Sequence, residues 1–314
     1  MKISYFFLSI ALCCCSISIM AQKKLSYRFA TRAEAQMLIT DIDNFTNKLN
    51  NLDIDLRLGK ENGRKSELLR LAMNETMNWS DADKKKVSDA FKSLQANISQ
   101  QKLNIKYPMD IILVKTSMKE EFNATAYTRK NWIALGDSLL KTATKEQMEQ
   151  VLAHEFFHLM TRTNKEFKKN AYSIIGFNLT DREIFFPVDI IKKKISNPDI
   201  ESYDSYAEFT IEGNKQKCSM IIYSDCNKTT GTLEEHLKIG LIPLNENLLP
   251  IQTNGNTIIF NIEQAEDFYD KVGKNTKYII NPEEIMADNF AYLITRKKNA
   301  SNPEIIEKLA ALLK

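Results

Sequence analysis

Val151-Leu152-Ala153-His154-Glu155-Phe156-Phe157-His158-Leu159-Met160 is the stretch from which the rest of the chain is read. Two histidines four residues apart on a helix project from one face, so both imidazoles can grip a single ion. Glu155 follows the first histidine directly and can reach a water held at that ion. Zinc suits neutral imidazoles, lowers the pKa of bound water towards ~7, and needs a base beside that water. The flanking residues are uncharged, as burial of a metal helix requires. The chain has only three histidines, and chance places this pattern in roughly one such chain in 1,000.

The motif needs a helix, and its start is legible. Thr144 with Gln147 three residues on forms a capping box opening a helix through about Thr163. Upstream, Ile111–Val114, Thr125–Tyr127 and Trp132–Leu135 read as short strands closed by Gly136-Asp137-Ser138. Residues 31–105 carry helical periodicity: Met37, Leu38, Ile42, Phe45 and Leu49 make one apolar face, Leu68 to Met77 a second, and Val87, Phe91, Leu94 and Ile98 a third. Ser80 ahead of Asp81 and Asp83 is an N-cap. Residues 165–265 are mixed, with strands expected at 209–211, 219–223 and 257–260. Gln264–Val272 reads as helical and Tyr278–Ile280 as extended. Asn281-Pro282-Glu283-Glu284 then starts a long last helix, with Asn at the N-cap and Pro at the first helical position.

A hydrolytic zinc site takes a third protein ligand and keeps a position open. A metzincin histidine six residues after His158 is excluded, because Asn164 stands there and Thr161 replaces the glycine. Glu284 and Asp288 are four apart on one helical face. Glu284 would ligate, and Asp288 would accept a hydrogen bond from the far nitrogen of a ligand histidine. His236 and Glu208 are the alternatives for the third ligand. Glu283 and Glu284 are also the acids that any helix N-terminus favours. For a donor to the oxyanion, His236 and Tyr278 are candidates; His236, in a polar run after Glu234 and Glu235, reads as surface, and Tyr278 as core.

His154-Glu155-x-x-His158 followed by Glu284-x-x-x-Asp288 resembles the gluzincin zinc metallopeptidases, the thermolysin-like clan. The resemblance implies an α+β, zincin-like fold, with a mixed or antiparallel sheet beside the active-site helix. It implies Zn2+ on His154, His158 and Glu284, Glu155 as general base and acid, Asp288 as orienter, and a peptide or protein substrate. It also implies an antiparallel edge strand where substrate docks, for which Asn131–Leu135 is the expectation. The spacing from 158 to 284 exceeds that of thermolysin, so the insert 165–280 is expected to carry specificity or a lid. The expected organisation is 1–21 signal peptide, 22–105 helical N-terminal region, and 106–314 metallopeptidase domain. A catalytically silent zincin-fold scaffold, or a zinc hydrolase of a non-peptide amide, are the competing functions.

Residues 1–21 have Lys2 and an apolar run from Tyr5 to Met20, and they end at Ala21. That is a secretory signal, shorter than the ~20 residues of a membrane span. Extracytoplasmic localisation follows, secreted or periplasmic. Lipid anchoring at Cys13, Cys14 or Cys15 lacks the usual small preceding residue. Beyond that segment only Cys218 and Cys226 remain, and they bracket a strand-like run that a local disulfide would close. The 43 basic and 40 acidic residues nearly balance, so nucleic acid is not an expected partner.

Overall fold

The computed structural model describes residues 25–107, 110–226, 228 and 231–314. The expected signal peptide lies outside them. The described chain enters with β1 (Tyr27–Phe29), then α1 (Arg32–Ile39), α2 (Asn44–Lys48), α3 (Asn51–Leu58), α4 (Lys65–Glu75) and α5 (Asp81–Gln100). The first apolar face read from the sequence is not one helix. Asp43 and Asn50 cap new helices through Thr46 N–H and Asp53 N–H, so the face is cut into three pieces. Met37 and Ile42 are left 75% and 52% exposed. Asp43 is held in place by Arg129, 2.8 Å away. Ser80 caps α5 as expected, accepting from Asp83 N–H.

β2 (Ile111–Thr116), β3 (Ala126–Arg129) and β4 (Trp132–Gly136) join β1 in a four-stranded sheet of order β1-β2-β4-β3. Its first two pairings are parallel and the last is antiparallel. β2 and β4 are buried along their whole length, which is why they read as unbroken apolar runs. Ile111, Leu113, Ile133 and Leu135 pack on one face with Phe91 and Phe157. Ile112, Val114, Trp132 and Ala134 pack on the other with Ile39 and Ala72. The expected edge strand is therefore corrected: Asn131–Leu135 lies inside the sheet, because β4 pairs in parallel with the buried β2, and β3 is the antiparallel edge strand.

After α6 (Asp137–Thr142) comes α7 (Lys145–Thr163), the motif helix, with its Thr144–Gln147 capping box in place. α8 (Lys165–Ser173), β5 (Phe177–Leu179), α9 (Val188–Ile191), β6 (Ser205–Ile211), β7 (Asn214–Tyr223), α10 (Leu233–His236) and β8 (Lys238–Pro243) follow. Next are β9 (Gln252–Thr253), β10 (Asn256–Thr257), β11 (Phe260–Asn261) and α11 (Phe268–Val272). β11-β8-β7-β6-β5 form a second, antiparallel sheet. The strand expected over 257–260 is split between β10 and β11. The helix expected over 264–272 is broken, because Ala265 bridges Ile211 and Glu266 N–H bonds Thr210 O. Tyr278–Ile280 pairs with no strand among the described residues. Phe209, Cys218, Met220 and Leu241 from this sheet enter the same core as α7.

α12 (Pro282–Thr295) and α13 (Pro303–Leu312) close the chain. Asn281 caps α12 as expected, accepting from Glu283 N–H. α12 packs along α7, where Phe157 and Phe290, both fully buried, stand 5.6 Å apart between ring centres. Burying each such ring contributes roughly 2 kcal/mol, and the contact sets the register of the two helices that carry the site.

The possible disulfide is also corrected. Cys218 and Cys226 are both free, one buried and one exposed. Cys218 lies within β7. Cys226 lies three residues past the end of that strand, and the two thiols are not bridged.

Candidate active site

α7 and α12 bring the expected residues to one point. His154 Nε2 lies 3.0 Å from Glu284 Oε2, and His158 Nε2 lies 3.6 Å from the same oxygen. His154, His158 and Glu284 offer ligand atoms that all lie within 4.8 Å of one another. Glu284 is fully buried, and its other oxygen accepts from Asn197 Nδ2 at 2.8 Å.

The far nitrogen of each histidine has its own carboxylate. Asp288 Oδ1 accepts from His154 Nδ1 at 2.9 Å, and Thr276 Oγ1 donates to its other oxygen. Glu283 Oε1 accepts from His158 Nδ1 at 2.9 Å and from Thr161 Oγ1 at 2.6 Å, while the Tyr172 hydroxyl donates to Glu283 Oε2. Glu283 was missed from the sequence, where acids at a helix start need no further reason. The signal available was the second histidine, whose Nδ1–H needs an acceptor.

The electrostatics follow from this pairing. Burial works to lower the pKa of His154, but its hydrogen bonds to Asp288 and Glu284 outweigh that and hold it well above the usual imidazole value. Burial also opposes ionisation of Glu283 and Asp288; their histidine partners nonetheless draw both below the usual carboxylate range. The orphaned atom is His158 Nε2, buried with no hydrogen-bond partner. A nitrogen left so beside Glu284 and His154 is what a metal ligand looks like without its ion. The donor set, two imidazoles and a carboxylate, suits zinc.

Glu155 is 3% exposed, and its Oε2 accepts from Thr128 Oγ1 of β3 at 2.7 Å. Asp199, which carried no sequence signal, stands in the same cleft. Its Oδ1 accepts from Thr128 N–H at 2.6 Å and approaches His158 Nε2 at 4.0 Å. Burial first, then the charge of Glu155, push its pKa well above the usual carboxylate value. The cleft measures about 750 Å³ and runs between the β3 edge, α7, the 195–199 loop and Tyr278.

Tyr278 is 43% exposed rather than core, with its ring 6.4 Å from that of His154. His236 is not surface: it is 1% exposed, and its Nδ1 lies 3.1 Å from Ser224 Oγ. Glu208 lies exposed on β6, paired in register with Lys217.

A helix pair presenting two histidines against a glutamate, beside a sheet with a free antiparallel edge, defines the class of gluzincin-type zinc metallopeptidases. Residues 85–179, from α5 to β5, match the model of peptidase family M48, a family of that class. The match spans both histidines and Glu155 and ends before α12. No curated protein and no solved structure matches the chain. Among the described residues no helix is long and apolar enough to cross a membrane.

Proposed function

We propose that this is an extracytoplasmic zinc-dependent peptidase in which His154, His158 and Glu284 hold the ion and Glu155 is the general base. The supporting observation is the convergence of both Nε2 atoms on Glu284 Oε2, with His158 Nε2 left otherwise unpartnered. When bound, zinc supplies Lewis-acid polarisation of the scissile carbonyl. Thr128 Oγ1 fixes one oxygen of Glu155 and leaves the other to take a proton from the attacking water. Glu155 then delivers that proton to the leaving amine. Asp288 and Glu283 keep both Nδ1 atoms protonated, so each Nε2 is the nitrogen that would give up its proton and offer a lone pair to an ion at the centre. Tyr278 supplies the donor to the oxyanion; packing against the site and the charges of Glu284 and Asp199 raise its phenol well above the usual value, so the hydroxyl stays protonated. Residues 1–21 carry the chain out of the cytoplasm.

A chelator-sensitive cleavage assay on a denatured protein substrate tests this. Glu155→Gln should keep the metal and lose activity by roughly 100- to 10,000-fold. Cleavage that survives both chelator and Glu155→Gln contradicts the reading, as does an inert wild-type protein carrying a full complement of zinc.

A further inference from the structure

β3 is a free edge, but only in part. Strand geometry turns the backbone groups of alternate residues to the same side, so Ala126 and Thr128 face outward. At Thr128 both outward groups are taken: its N–H by Asp199 Oδ1 at 2.6 Å, and its C=O by Arg162 Nη2 at 3.0 Å. The 197–199 loop that blocks this end is clamped. Arg162 Nη2 also donates to Pro198 O and Asp199 O, Asn197 Oδ1 accepts from Asp199 N–H, and Asn197 Nδ2 donates to Glu284. Ala126 keeps its outward groups free of partners among the described residues. A peptide laid along β3 therefore pairs at Ala126 and meets a wall about two residues, or ~7 Å, further on.

The chemistry of the wall is specific. Asp199 lines the cleft at 8% exposure, and its Oδ2 accepts no hydrogen bond from any described residue. Among the described residues no lysine or arginine lines the cleft. The other acids there are engaged: Glu121 with Arg57, Glu284 and Asp288 with histidine, and Glu155 with Thr128. A substrate's terminal carboxylate would find no lysine or arginine of the described residues there, whereas an ammonium group would find Asp199 and supply the positive charge whose lack, in a buried site beside Glu155, raises that carboxyl's pKa. Ligand atoms of Asp199, Glu155 and His158 lie within 4.8 Å of one another, so an amine held by Asp199 is one residue from the carbonyl that Glu155 serves.

We propose that the 195–199 loop makes this site an aminopeptidase: Asp199 receives the α-ammonium of the substrate, and the first peptide bond is the one hydrolysed. Water adds to the carbonyl of residue one, the C–N bond breaks, and the amine of residue two leaves with the proton Glu155 carried. This rests on the peptidase reading above and adds to it which end of the substrate is taken.

The test uses the zinc-loaded full chain and one peptide in three forms: free at both ends, N-acetylated, and C-amidated. Release of single N-terminal residues is expected, with acetylation lowering kcat/KM about 100-fold and amidation leaving it unchanged. Asp199→Asn should lower kcat/KM on the free peptide at least tenfold while keeping the zinc content of the wild type. Internal cleavage of the acetylated peptide at the wild-type rate overturns the proposal but leaves the peptidase reading standing. Loss of zinc in Asp199→Asn also overturns it, by making Asp199 a ligand. If no form is hydrolysed the peptidase reading fails, and the amine site is then judged by binding to zinc-loaded Glu155→Gln. There a preference of at least tenfold for the free over the acetylated peptide, abolished by Asp199→Asn, sustains it, and equal affinity overturns it.

Discussion

Glu283 Oε1 accepts a hydrogen bond from His158 Nδ1 across 2.9 Å, while the neighbouring Glu284 faces the other nitrogen of the same ring at 3.6 Å. Two consecutive carboxylates in the first turn of α12 thus divide one histidine between them. The first orients the ring, and the second would share an ion with it. Thr161 and Tyr172 hold Glu283 from two further sides, so the acceptor itself is not free to turn.

Glu283→Gln should therefore weaken zinc binding by about 10- to 100-fold, the usual effect of losing the partner behind a ligating histidine. Full zinc occupancy should still be reached at high metal concentration. Competition against a chelator of known affinity measures this. An unchanged affinity would reduce Glu283 to a helix-terminus acid.

How much of this was legible in the sequence depends on where each residue sits. His154, Glu155 and His158 share one helix, and Glu284 and Asp288 share another, so spacing alone groups them correctly. The capping residues Thr144 and Asn281 fix where both helices start, and with it which faces meet. Thr128, Asn197 and Asp199 come from an edge strand and a loop, whose positions depend on long-range packing and leave no periodic trace. The edge strand was misplaced for a related reason: β3 and β4 are a hairpin of similar apolar character, and which of them pairs with β2 is decided by tertiary contacts. His236 sits in a polar run, yet Ser224, the residue after β7, gives it a buried partner that no local pattern announces.

The edge strand has a pH-sensitive support. Glu120 is buried beneath β3, accepting from Thr116 Oγ1 and the Tyr127 hydroxyl, and burial raises its pKa to about 7. A carboxyl with a raised folded pKa keeps its proton in the native state between about 4.5 and 7 while the unfolded chain gives its proton up. Stability therefore falls as pH rises through that window, by on the order of 3 kcal/mol in total. Glu120→Gln should melt like the wild type at pH 4 and higher than it at pH 8. A constant difference in Tm across this range would contradict the assignment.

The two cysteines should behave independently. Burial pushes the Cys218 thiol up to about 12, whereas Cys226 is exposed. A thiol reagent applied to the native protein should label Cys226 and spare Cys218 until denaturant is added. Protection of both thiols, relieved by a reductant, would reveal a bridge and contradict the free state of the pair.

Glu155, the proposed general base, has a structural partner whose removal separates position from chemistry. Thr128→Val removes the hydroxyl that fixes Glu155 Oε2 and preserves the β-branched shape of β3. The expected result is a fall in kcat of about tenfold, with metal content unchanged and a shifted pH profile. An unaltered kcat and profile would show that Glu155 needs no such anchor.

The metal content of the purified full chain tests the central claim most directly. Elemental analysis should find one zinc per chain, removable by chelator together with proteolytic activity and restored with it, and largely absent from Glu284→Ala. A folded protein that contains no zinc and takes up none when it is offered would contradict the account, as would a Glu284→Ala variant that keeps its full complement.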